Sequence, residues 1–226
     1  MSKIEIIPAI LPKDFAEIDE KVSMVQGSVK FVQIDICDGQ FVSNATWPYK
    51  KHDDNFDKLL KEELGLPFWE NVNYEFDLMV NRAEEVVEEW VRAGASRIIL
   101  HSEMKGDIAS AINKIKDSVE IGLAINIDTP IDSIDQYKDD IKFIQCMGID
   151  NIGFQGQKFD ENVIQKIKEI KIKYPDLIIS VDGGVSLESA PFLIEAGANR
   201  LIVGSAIFNS DNAFEAVHDF KRLQNH

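Results

Sequence analysis

Apolar residues along the chain follow two alternating rhythms. Short β-rich runs occupy 4–8, 31–36, 74–79, 97–101, 121–126, 142–147, 177–182 and 200–203. Between them, apolar positions recur at helical spacing over 14–26, 55–63, 83–93, 107–118, 131–138, 161–173, 187–196 and 213–223. Start signals support several of these helices, among them Asp107 and the stretch Ser186-Leu-Glu-Ser ahead of an apolar face. Eight strands each followed by a helix predict a closed (β/α)8 TIM barrel, because an open doubly wound sheet usually needs fewer. No Pro/Gly/Ser-rich linker or low-complexity segment interrupts the 226 residues, so one domain over 1–226 is expected.

An internal echo fits a closed barrel. Ala93-Gly-Ala-Ser-Arg-Ile-Ile-Leu100 and Ala196-Gly-Ala-Asn-Arg-Leu-Ile-Val203 share a helix end, a glycine turn and an entering strand, four βα units apart. Duplication of a half-barrel would produce this, and so would the common use of Ala-Gly-Ala as a helix end feeding a strand. Both readings put Gly94 and Gly197 in turns at the bottom face.

Composition narrows the partners. A formal charge of -15 repels polyanions, which argues against nucleic acid or an anionic membrane. A small phosphate ester stays compatible, since backbone N–H groups can hold it locally. Cys37 and Cys146 are too few for a disulfide framework or a Cys-rich metal site. The opening Met-Ser-Lys-Ile-Glu lacks an apolar signal core and no stretch approaches a membrane span, so a soluble cytoplasmic protein is expected.

Two carboxylates end apolar strands: Asp35 in Phe31-Val-Gln-Ile-Asp35-Ile-Cys-Asp-Gly39 and Asp182 in Leu177-Ile-Ile-Ser-Val-Asp182-Gly-Gly184. A buried carboxylate is costly unless it is paired, metal-bound or used. In a barrel of this kind the chemistry gathers at the C-terminal strand ends, where Asp35, Asp77 and Asp182 all fall. Carboxylates on opposite faces of a bound carbon can take a proton from one side and return it from the other. A stereocentre beside a carbonyl is inverted in this way. Gly183-Gly184 and Gly204-Ser205 follow the last two strands, with Gly153-Phe-Gln-Gly-Gln157 after the sixth. Each glycine pair alone would be explained by a tight turn. In consecutive βα loops they favour phosphate binding.

These motifs resemble the ribulose-phosphate 3-epimerase family. The likeness runs through Ile7-Pro-Ala-Ile-Leu-Pro-Lys-Asp-Phe15, Ile34-Asp-Ile-Cys-Asp-Gly-Gln-Phe-Val42, Phe76-Asp-Leu-Met-Val80, Leu123-Ala-Ile-Asn126, Gly153-Phe-Gln-Gly-Gln-Lys-Phe159, Val181-Asp-Gly-Gly184 and Val203-Gly-Ser-Ala-Ile-Phe208. The resemblance implies a ribulose-phosphate-binding barrel that epimerises a small ketose phosphate, with Asp35 and Asp182 as acid and base through an enediolate. It further implies Met79 and Met147 on the pocket floor, with Cys37 where a third methionine is usual, and Asn126 at the substrate. The phosphate grip would be Gly153, Gly156, Gly183, Gly184, Gly204 and Ser205.

Several positions depart from the family pattern. The family usually binds a divalent metal through two histidines and two aspartates, and the histidine positions here read Gln33 and Asp77. Ala9 replaces a serine, Gln40 a histidine, and Asp150-Asn-Ile152 the expected Asn-Pro; the segment Pro67-Phe-Trp-Glu-Asn-Val-Asn-Tyr74 is longer than usual. A set of Gln33, Asp35, Asp77 and Asp182 offers only oxygens, which suits Mg²⁺ or Mn²⁺ better than Zn²⁺. The other reading is no metal at all. Three crowded carboxylates would then force a proton onto at least one, and a protonated Asp77 could hydrogen-bond a substrate oxyanion.

Other residues have simpler readings. His52, His218 and His226 are expected in solvent, and His101 as structural support rather than a ligand. Trp90 reads as helix-to-barrel packing. Trp47 and Trp69 fall in loops, where a lid or a subunit interface could use them, and a homo-oligomer is expected. Glu84, Glu85, Glu88 and Glu89 read as a solvated helix face, and Lys158 as the one basic group near a phosphate. The competing functions are a catalytically degenerate phosphosugar binder and another enzyme of the same barrel group. A decarboxylase would want a lysine beside the strand-three aspartate, and an aldolase one inside the barrel; neither is present in Asp77-Leu-Met-Val-Asn81 or at another strand end.

Overall fold

The computed structural model describes residues 4–223, so His226 and the first three residues lie outside the described residues. Eight parallel strands pair in sequence order and close: β1 (Glu5–Ile10), β2 (Phe31–Cys37), β3 (Asn73–Met79), β4 (Ala95–His101), β5 (Glu120–Ile125), β6 (Phe143–Met147), β7 (Ile178–Asp182) and β8 (Arg200–Val203). Around them lie α1 (Phe15–Val25), α2 (Asp54–Leu60), α3 (Val87–Arg92), α4 (Ile108–Ile115), α5 (Asn162–Lys173), α6 (Ala190–Ala196), α7 (Ser205–Phe208) and α8 (Ala213–Arg222). No helix among the described residues is long and apolar enough to cross a membrane.

Side-chain alternation along each strand divides the interior in two. Outward residues such as Val32, Ile34 and Ile36 join the helix-facing core, while Cys37, Met79, Ile99, Ala124 and Phe143 pack inside the barrel. Gly122 leaves room for a bulky neighbour there: a Cβ on it would sit 2.3 Å from the Phe143 ring.

Helix starts follow their capping residues. Asp14 accepts from the Glu17 N–H and Asp107 from the Ser110 N–H, each at 2.9 Å. Several expected helices are shorter than their patterns. Segment 131–138 forms only a 3-10 turn, Ile131–Ile134, where Asp132, Ser133 and Asp135 offer the backbone competing partners. Segment 83–93 splits into a 3-10 turn (Ala83–Glu85) and α3 around the β-branched pair Val86 and Val87. The helix expected from 187 starts at Ala190, with Pro191 in its first turn, where a missing N–H costs nothing.

Trp47 overturns an expectation. It is neither lid nor interface: it is 1% exposed and packs against Phe15, Phe56 and Trp90 at centroid distances of 5.6, 5.5 and 6.0 Å. Trp90 is buried as expected, and Trp69 is exposed.

The echoed segments have a shared role. Gly94 and Gly197 both adopt positive φ (106° and 117°) in bottom turns. Three residues on, Arg97 and Arg200 turn inward and close the barrel floor. Arg97 contacts Glu75 (3.1 Å), Glu120 (2.9 Å) and Glu5 (3.4 Å), while Arg200 contacts Glu5 (3.1 Å). The guanidiniums lie over the Phe31 and Phe143 rings at 3.5 and 4.7 Å.

Candidate active site

A cleft opens at the C-terminal ends of the strands. Of the expected site residues, Asp35, Met79, Met147, Gly153, Gly156, Asp182, Gly183, Gly184, Gly204 and Ser205 line it. Asp35 sits on β2 and is 8% exposed; its carbonyl accepts from the Thr46 hydroxyl, which also accepts from the Cys37 N–H. Asp182 ends β7, beside Met147 on β6 in register. Gly184 permits a close approach, since a Cβ there would lie 2.7 Å from Phe159 Cα.

Gln33 and Asp77 lie below the cleft lining, both fully buried. Gln33 Nε2 donates to Asp35 Oδ1 and to Asp182 Oδ2, each at 2.8 Å. Asp77 has both oxygens engaged, Oδ1 with His101 Nε2 at 2.8 Å and Oδ2 by Gln145 Nε2 at 3.0 Å. Gln145 Nε2 also reaches Asp182 Oδ2 at 3.4 Å. A substrate oxyanion in the cleft would therefore meet Asp35 and Asp182, with Asp77 beneath them. His101 takes the supporting place expected of it.

Burial and mutual repulsion raise both cleft carboxyls. Asp35 is pushed well above the ordinary aspartate range by burial and then by the charges of Asp182 and Asp77. Asp182 is pushed up to about 7 by burial and by Asp77, against the hydrogen bonds from Gln33 and the Gly183 backbone. His101 loses basicity to burial, but Asp77 more than restores it, and the net shift is upward. Burial pushes the Cys37 thiol far up, leaving no thiolate nucleophile there.

The 153–157 loop crosses the mouth. Asn44 Nδ2 donates to the Gly153 carbonyl at 2.8 Å, and Gln155 Nε2 reaches the Ala9 carbonyl at 3.4 Å. Lys158 is exposed and does not line the cleft. Asn126 follows β5 outside that lining, its N–H held by Glu103 Oε1 at 2.8 Å and its carbonyl by Lys166 Nζ at 2.6 Å. Sequence reasoning missed Gln145, Glu103 and Lys166. Gln145 carried a signal, a lone amide within the apolar run Phe143-Ile-Gln-Cys-Met147; Glu103 and Lys166 sat in polar contexts that gave none.

The ribulose-phosphate 3 epimerase family profile matches residues 5–208. The chain belongs to this family. A ribulose-phosphate 3-epimerase of Bacillus subtilis (strain 168) is 33% identical over 96% of the chain and 98% of its own length. The chloroplastic ribulose-5-phosphate-3-epimerase of Arabidopsis thaliana is 32% identical over 97% of the chain and 77% of its own length. Two solved structures share the fold: KGPDC from Streptococcus mutans (TM-score 0.74, 16% identity, 99% of this chain and 98% of that one) and 3-hexulose-6-phosphate synthase from Salmonella typhimurium (TM-score 0.73, 15% identity, 99% and 100%).

Membership raises the question of a cation. Asp35, Asp77 and Asp182 each offer a carboxylate oxygen, all within 4.8 Å of one another, a cluster that could hold a metal ion. The side chains around it do not suit one as they stand. Gln33 and Gln145 aim N–H groups, which cannot ligate a cation, at these oxygens, while their own Oε1 atoms are buried without partners. In this ribulose-phosphate 3-epimerase family member, an amide donor, Gln33, and a carboxylate, Asp77, stand where the family pattern has histidines.

Proposed function

We propose that this chain is an epimerase of a small ketose phosphate, of the ribulose-phosphate 3-epimerase type. The observation that carries the reading is the pair Asp35 and Asp182, facing one cleft with raised pKa values and a shared hydrogen-bond donor. A carboxyl whose pKa lies near neutrality can serve as base in one direction and acid in the other. With the substrate carbon between them, one aspartate removes the proton beside the carbonyl. The electron pair moves onto the carbonyl oxygen as an enediolate, and the other aspartate returns a proton to the opposite face. Gly183, Gly184, Gly204 and Ser205, with Gly153 and Gly156 of the loop, are the proposed phosphate grip; Met79 and Met147 are the apolar floor. Oxygen donors alone would favour Mg²⁺ or Mn²⁺ over Zn²⁺ in the carboxylate cluster.

Incubation with ribulose 5-phosphate in D2O, followed by NMR, tests the reading. Deuterium should enter C3 in the wild type and not in Asp35→Asn or Asp182→Asn. Tight binding of pentulose or hexulose phosphates with no exchange in the wild type would replace this reading with that of a degenerate binder.

A further inference from the structure

Gln33 is an expensive residue for its place. It occupies a fully buried position on β2, between the apolar outward residues Val32 and Ile34 in sequence and opposite Ala9 of β1 in register. Its Oε1 has no hydrogen-bond partner. A buried acceptor left unsatisfied costs about 1–3 kcal/mol, so packing alone would favour leucine or methionine here. What the amide supplies is its other end. Both hydrogens of Nε2 are spent on the acid–base pair, one on Asp35 Oδ1 and one on Asp182 Oδ2 at 2.8 Å each. The reverse orientation would set the amide oxygen against two carboxylate oxygens, so the donor end faces them for an electrostatic reason. Gln145, across the barrel on β6, repeats the arrangement, donating to Asp77 Oδ2 and, at the longer distance of 3.4 Å, to Asp182 Oδ2, also with an unpartnered Oε1.

We propose that Gln33 is a positioning residue that takes a cation's place between Asp35 and Asp182, fixing the pair for proton transfer without a metal. The proposal rests on the two-aspartate reading above. A metal would gather the carboxylates through their negative charge, whereas the amide gathers them through two directed hydrogen bonds from one planar group. An amide N–H donates to a carboxylate and to the carbonyl oxygen of a carboxylic acid alike. The bridge therefore persists whichever aspartate carries the transferred proton. Gln145 braces Asp182 from the β6 side and keeps Asp77 turned away from the cleft.

The test combines chelation with substitution. Wild-type protein dialysed against EDTA, with metal content measured by elemental analysis, should keep its deuterium exchange into ribulose 5-phosphate. Gln33→Met keeps the bulk and removes both donors. It should lose about 10²-fold in kcat with little change in KM, the scale of a small misplacement of reacting groups, and added Mg²⁺, Mn²⁺ or Zn²⁺ should not restore it. Its melting temperature should hold or rise, separating positioning from folding. If exchange by the wild type disappears on chelation and returns with a cation, a metal holds the pair and the bridge is refuted, while the epimerase reading stands. Unchanged kcat in Gln33→Met refutes it too. Absence of exchange under every metal condition refutes both. The chelation arm needs no variant, so it decides even if Gln33→Met fails to fold.

Discussion

His101 Nε2 lies 2.8 Å from Asp77 Oδ1, with both side chains sealed from solvent inside the barrel. Removing one partner of a buried charged pair strands the other, at a cost of about 3–5 kcal/mol. His101→Leu should therefore lower the unfolding free energy by that order, read from urea denaturation. Replacing both residues together, His101→Leu with Asp77→Leu, should recover part of the loss.

Asp182 gives the protein a pH-dependent stability. The folded state keeps its proton up to about pH 7, whereas an unfolded aspartate releases it near 3.8. Between those values the native state binds more protons than the unfolded chain, so stability falls as pH rises. Asp182→Asn removes this term. Chemical denaturation should show the variant gaining on wild type between about pH 4 and pH 8, by about 2–4 kcal/mol at the upper end.

Arg97 neutralises the floor of the barrel. Glu75, 1% exposed, is pushed up to about 7 by burial even with Arg97 and Arg200 pulling it down. Arg97→Met should destabilise by about 3–5 kcal/mol near neutral pH, and a second change, Glu75→Gln, should relieve much of that. Thermal unfolding of the single and double variants checks both outcomes.

Gly184 tests the proposed phosphate grip. A methyl there would meet Phe159 Cα at 2.7 Å, displacing the backbone that lines the cleft. Gly184→Ala should raise KM for a ketose phosphate at least 10-fold while leaving kcat within a few-fold, the pattern of lost uniform binding. Steady-state kinetics would show kcat and kcat/KM falling equally, with KM unchanged, if the loop instead served the chemical step.

The barrel was legible because each strand run ends in a change of rhythm, and the acids because Asp35 and Asp182 interrupt apolar strands. What escaped was mostly tertiary. Trp47 sits in a loop by sequence, yet its ring is enclosed by Phe15, Phe56 and Trp90, which arrive from three other segments. Gln33 was read as an oxygen ligand, since sequence names an amide without saying which end faces the carboxylates. Lys166 looked like one more lysine on α5 until its ammonium was found on the carbonyls of Asn126 and Thr129.

The Arg97–Arg200 floor makes the barrel a vessel with one opening. On the proposed chemistry, a single turnover leaves the two aspartates with exchanged roles, the donor emptied and the acceptor filled. Before the next substrate of the same hand can react, that proton must cross back or be traded with water. With ion pairs sealing the base and the 153–157 loop over the mouth, water reaches Asp35 and Asp182 by the same door as the sugar. Resetting the enzyme and releasing product would then share one passage.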